Sequence, residues 1–146
     1  MVLNSRVVIA ALAIACSGLG LSLSAQTKET FKARLSAMPA DARTRAELAG
    51  SGSATAVLSG TNVAITASFD GLRTAATTAS LHSSVGAGVR GPAIGDLTIS
   101  KATSGTITGS FDLTPQQLAS LRKGGLYVEI HSEKAPDGVL WGWLLK

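Results

Sequence analysis

The chain has 146 residues, with 13 basic and 9 acidic side chains, two histidines, one cysteine and a net charge of +4 at neutral pH. A single cysteine excludes a disulfide framework, and cleavage near Ala25 would remove Cys16 and with it any thiolate chemistry. The basic residues are scattered, with no run of five or more, so the clustered patch that nucleic acid demands is absent and no nucleic-acid partner is expected.

In chain order, the first element is a leader. Met1 to Arg6 carries one positive charge, Val7 to Ala15 is an unbroken apolar run, and Ser22-Leu23-Ser24-Ala25 offers small residues for cleavage. That order is a secretory signal over residues 1–25, cut between Ala25 and Gln26. Its apolar run is short of the about 20 residues of a membrane span, so no transmembrane span is expected in the mature chain. A retained N-terminal anchor is one alternative. Lipidation at Cys16, after Ala13-Ile14-Ala15, is the other. The expected address is periplasmic or secreted. Removing Arg6 with the leader lowers the net charge to +3, and residues 26–146 suit one domain.

Phe31-Lys32-Ala33-Arg34-Leu35 alternates apolar and basic residues, the pattern of an edge or half-buried strand. Pro39 to Ser53 is charged and then Gly/Ser-rich, a long loop with a helical turn through Arg45-Ala46-Glu47-Leu48. Strands follow over 53–59 and 62–69, joined by a hairpin at Gly60-Thr61-Asn62. Val63, Ile65, Ala67 and Phe69 share one face of the second. Asp70-Gly71 starts a turn. Residues 77–83 form a strand ending near His82, and the glycines and proline from Gly86 to Pro92 mark a loop. Two more strands span 94–100 and 106–113.

Thr114-Pro115-Gln116-Gln117 is a helix start: a threonine cap, proline at the first position and glutamine three residues after the cap. Leu118 and Leu121 share a face, Arg122 and Lys123 fall in the last turn, and Gly124-Gly125 ends it. The last two strands run from Gly125 to Ser132 and from Asp137 to Trp143. In the first, Leu126, Val128 and Ile130 point one way and Tyr127, Glu129 and His131 the other. Many short strands with one short helix predict an all-β antiparallel sandwich or barrel.

The chemistry-bearing residues are few. No nucleophile elbow, phosphate loop or dinucleotide fingerprint is present, and Gly86-Ala87-Gly88 with Gly91-Pro92 reads as a flexible loop. His82 and His131 both fall near strand ends. Copper or zinc is the cofactor such a pair would take, with Asp96, Glu129, Glu133 or Asp137 supplying further ligands. The plainer reading is that each imidazole bonds a loop carbonyl. Trp141 and Trp143 lie two apart on one strand face. They form a ligand or partner face, or else fill the core.

Several motifs together resemble a known family. They are Phe31-x-Ala33-x-Leu35-Ser36, Leu58-Ser59-Gly60, Phe69-x-Gly71-Leu72, Ala79-Ser80-Leu81-His82, Gly91-Pro92, Phe111-x-Leu113-Thr114-x-x-Gln117-x-x-x-Leu121, Gly125-x-Tyr127-Val128-x-Ile130-His131 and Gly138-x-x-x-Gly142. The chain is similar over residues 31–145 to the chordin-type (CHRD) domain, found in animal chordin and in secreted bacterial proteins. The resemblance implies a Greek-key fold, immunoglobulin-like or superoxide-dismutase-like. The family pattern carries Ala-His-x-His-Gly where this chain has Ala79-Ser80-Leu81-His82-Ser83, so Ser80 replaces one histidine. If those histidines bind metal, a ligand is missing here. The family's polar Gly-Glu-x-Arg-Gly-Gln ending becomes Gly138-Val139-Leu140-Trp141-Gly142-Trp143. The resulting expectation is an exported, non-catalytic binding or structural module. Its partner would be an envelope or extracellular protein or polymer. The alternative is a copper/zinc or redox-cofactor protein of the cell envelope using His82 and His131.

Overall fold

A computed structural model describes residues 25–146. The leader, the lipidation alternative at Cys16 and the retained-anchor alternative fall outside the described residues, Ala25 excepted. Eight strands and one helix follow in order: β1 (Lys28–Ala37), β2 (Ser51–Ser59), β3 (Asn62–Asp70), β4 (Ala76–Ser83), β5 (Ala93–Ile99), β6 (Gly105–Asp112), α1 (Pro115–Arg122), β7 (Leu126–Ser132) and β8 (Ala135–Trp143). All pairings are antiparallel, and the strands close into a barrel in the order β1-β2-β3-β6-β5-β4-β7-β8. Of the two expected architectures, sandwich or barrel, the molecule is the barrel. β6 returns beside β3, with β5 and β4 beyond it, which is a Greek key.

Closure runs through β1. Its body pairs with β2, while Ser36 and Ala37 pair with Trp141 and Leu140 of β8. The chain after β8 continues the seam in the same register: Lys32 and Leu145 exchange two backbone hydrogen bonds, of 2.7 and 2.9 Å. β1 is therefore not an edge strand, although its alternation also fits one; closure leaves no edges.

Period-two alternation fills the interior. Phe31, Ala33 and Leu35 of β1, Val63, Ile65 and Phe69 of β3, and Leu126, Val128 and Ile130 of β7 all point inward and are buried. Small residues face large ones: Ala33, Ala54, Ala56 and Ala79 belong to the same cluster as Phe31 and Phe69. Such alternation fits side chains into a narrow barrel. Ala67 is only half-buried at its packing position.

Local chemistry sets the connections. The β2–β3 hairpin is Gly60-Thr61, closed by the Ser59–Asn62 pair. Gly60 has φ +63° and Thr61 does not have positive φ, so only the first loop position needs glycine. Between β1 and β2 a single turn spans residues 42–47, capped by Asp41 Oδ1, which accepts from the Arg43 and Thr44 amides at 2.8 Å each. α1 starts as expected: Thr114 accepts from the Gln117 amide, and the Gln117 side chain accepts from the Thr114 amide at 2.9 Å. Leu121 is fully buried and Leu118 packs against the core. The helix thus bridges β6 and β7, which are not neighbours in the barrel.

Candidate functional site

The site is the outer surface of β4, β7 and β8. Side chains that alternate with the buried row face outward here, and cross-strand register lines them up. His82 is opposite Tyr127, and Tyr127 is opposite Trp143. One row below, Ser80 is opposite Glu129, and Glu129 is opposite Trp141. The first row is a stack: ring centroids lie 4.9 Å apart for His82–Tyr127 and 4.8 Å for Tyr127–Trp143. Trp141 meets Trp143 edge-on at 4.7 Å. Such contacts add to area burial. Leu140 and Leu144 take the inward places of this segment, so both indoles lie outside the core and are half-buried. The Trp143 Nε1 donor is buried with no partner among the described residues.

A strap, residues 84–92, folds from β4 back over this face. Gly91 anchors it. The Gly91 amide donates to Tyr127 Oη at 3.0 Å, and the Gly91 carbonyl accepts from His82 Nδ1 at 2.9 Å. A Cβ on Gly91 would collide with the Ser83 carbonyl, so only glycine lets the strap approach this closely. Arg90 adds a second anchor. Its Nη1 lies 3.3 Å from Glu129 Oε1, and its Nη2 donates to the Asp137 carbonyl at 2.6 Å.

Glu129 is the electrostatic centre. Its side chain is 2% exposed, and His131 Nε2 and His82 Nε2 flank the carboxylate at 3.4 and 3.8 Å. Burial alone would raise its pKa; His131, Arg90 and His82 together outweigh that and hold it below the ordinary carboxylate value. The same carboxylate raises the His131 pKa, with the Pro136 carbonyl adding to the effect. His131 Nδ1 donates to that carbonyl at 2.8 Å, which leaves Nε2 facing Glu129. At 3.4 Å, with Nε2 buried and otherwise without a partner, the pair is an ion contact rather than a formed hydrogen bond. Burial raises the Tyr127 pKa as well.

Bulges aim both histidines. The β4–β5 register shifts between Leu81 and His82, and the β7–β8 register shifts between Ile130 and Ser132, either side of His131. A bulge re-aims the neighbouring side chain. Each imidazole bonds a backbone carbonyl through Nδ1: His82 that of Gly91 in the strap, as the plainer sequence reading has it, and His131 that of Pro136, which lies in β8 rather than in a loop.

The structure brings His82 and His131 to one carboxylate. Of the four acids named from the sequence, only Glu129 joins them; Asp96 and Glu133 are exposed, and Asp137 contributes its carbonyl to Arg90. Among the described residues no three His, Cys, Asp or Glu side chains gather in an arrangement able to hold a metal ion. Ser80 Oγ, where the family pattern has histidine, lies 2.8 Å from His82 Nε2. Sequence reasoning missed Arg90, the Gly91 anchor and the contact of Ser80 with His82. Arg90 lies 39 residues from Glu129, and no local pattern links the two.

A closed antiparallel Greek-key barrel with a polar and aromatic outer face defines the class: an all-β domain with its distinctive chemistry outside the core. The CHRD domain family matches residues 31–144, and the chain belongs to that family. Neither a curated protein nor a solved structure matches it. Among the described residues no helix is long and apolar enough to cross a membrane.

Proposed function

We propose that this chain is an exported, non-catalytic binding or structural module of the periplasm or cell exterior. Its contact surface is the outer face of β4, β7 and β8. The observation that carries this reading is the placement of Trp141 and Trp143. Two indoles stand half-buried outside the core; Trp143 stacks on the fully buried Tyr127, and Trp141 meets both rings edge-on. Aromatic rings with an apolar body and a polar edge are favoured at contact surfaces. The partner is an envelope or extracellular protein or polymer.

The chain has only two tryptophans, so all indole emission comes from this face. Titration with solubilised envelope proteins and with purified wall polymers is expected to shift or quench that emission for one class of partner. Emission that ignores the whole panel contradicts the reading. So does a turnover that His82→Ala or His131→Ala abolishes.

One observation favours a second reading, a copper or zinc site. Both imidazoles donate Nδ1 to carbonyls and aim Nε2 at Glu129, the orientation a metal ligand takes. Two others weigh against it. The Arg90 guanidinium already stands at Glu129 Oε1, and Ser80 occupies His82 Nε2. Copper or zinc addition is therefore expected to leave thermal melting unchanged, because a native-state ligand must raise it.

A further inference from the structure

The strap has a second side. Away from the aromatic face it forms one wall of a cleft of about 640 Å³, whose other wall is α1 from its Thr114 cap to Ser120. That volume suits a small organic ligand, for which sites run from about 300 to 1,000 Å³. Apart from Arg90, the polar side chains of the lining are hydroxyl and amide: Ser83, Ser84, Thr114, Gln116, Gln117 and Ser120. Pro92 and Ile94 supply an apolar patch, and no carboxylate lines the cleft.

Both walls are held in advance of any ligand. The capping box and the buried Leu121 fix the helix. The Gly91 and Arg90 anchors fix the strap. Pre-formed walls spare a ligand the ordering cost of closing them.

Charge narrows the ligand class. Arg90 is the cleft's one charged lining residue. However, both of its terminal nitrogens are turned to the other side of the strap, toward Glu129 and the Asp137 carbonyl. Its charge is offset by the Glu129 carboxylate. The cleft thus offers neutral donors and acceptors beside a small apolar patch. A cation finds no carboxylate there, and an anion finds no uncommitted guanidinium.

We infer that the cleft between the strap and α1 is a binding site for a neutral, polyhydroxylated ligand of the saccharide class. Sugar hydroxyls exchange hydrogen bonds with the serine and glutamine groups, and a ring's C–H face rests on Pro92 and Ile94. The site is separate from the aromatic face and does not depend on that face's role.

The test is an amide-resolved NMR titration of the exported chain with maltose and with N,N′-diacetylchitobiose, alongside acidic digalacturonate. The expected result is shifts at Ser83, Ser84, Gln116 and Ser120 with a neutral sugar. Gln116→Ala is expected to weaken that binding about fivefold, the loss of one hydrogen bond. Gln116 is exposed on the first helical turn and outside the capping pair, so the variant folds. No shifts with either neutral sugar overturns the inference, as does tighter binding of digalacturonate. Shifts confined to Tyr127, Trp141 and Trp143 overturn the cleft while supporting the aromatic contact face. Failure of the aromatic face alone leaves the cleft shifts in place.

Discussion

Glu129 shows how one residue organises a surface. A carboxylate with 2% of its side chain exposed needs nearby positive charge, and Arg90 and His131 supply it from the strap and from its own strand. Removing the two partners has unequal effects. Arg90→Ala leaves the buried carboxylate with imidazoles alone, and the expected cost is about 2 kcal/mol by denaturant unfolding. Glu129→Gln costs less, because the Arg90 side chain is 55% exposed and returns to water. Equal costs would show that Arg90 is not the carboxylate's main partner. The pH dependence follows from two opposite shifts. The Glu129 pKa is lowered, so its contribution is present above its ordinary 4.5 and is lost as pH falls through the folded value. The His131 pKa is raised, so its contribution is full below its ordinary 6.5 and is lost as pH rises through the folded value. Unfolding followed against pH is expected to show a stability plateau between those two ordinary values. Imidazole NMR is expected to place His131 above 6.5 in wild type and nearer to it in Glu129→Gln.

At the scale of elements, the sequence is most legible where a local rule acts alone. The capping box at Thr114 and Gln117 and the Gly60 hairpin both form as their residues dictate. Thr114→Ala is expected to cost about 1 kcal/mol, measurable by thermal unfolding. Amide exchange is expected to quicken at Leu118, whose amide bonds the Thr114 carbonyl. Unchanged exchange there would mean that packing of Leu121, not the cap, holds the first turn. Legibility ends where elements meet out of sequence. β7 shows which of its faces is apolar, yet nothing in it shows that Tyr127 and Glu129 on the other face are also buried. The strap does that, and its glycine-rich pattern announces only a loop. The bulges that aim His82 and His131 are equally silent, because a bulge is a relation between two strands.

The whole molecule depends on a seam that no periodicity reveals. Alternating strands fit a sandwich or a barrel equally well. The choice is settled where the end of β1 turns to β8 and Leu145 pairs with Lys32. Deleting Leu145 and Lys146 removes that pair and the contact of Lys146 Nζ with Glu29 at 2.7 Å. The exposed ion pair matters little, so the backbone pair carries the effect. Hydrogen exchange is expected to rise at Lys32 while β3 and β6 stay protected; uniform exchange across the barrel would contradict a local seam. Family membership and barrel are consistent with the motifs from Phe31 to Gly142, whereas the polar and aromatic outer face comes from the assembled register.

The measurement that bears most directly on the outer face as a contact surface is retention of the chain, residues 26–146, on purified envelope material. Wild type would be compared with the Trp141→Ala/Trp143→Ala double variant, after circular dichroism shows both to be folded. The expected result is that wild type is retained and the folded double variant is released. Equal retention of the two would contradict the proposed role of this face.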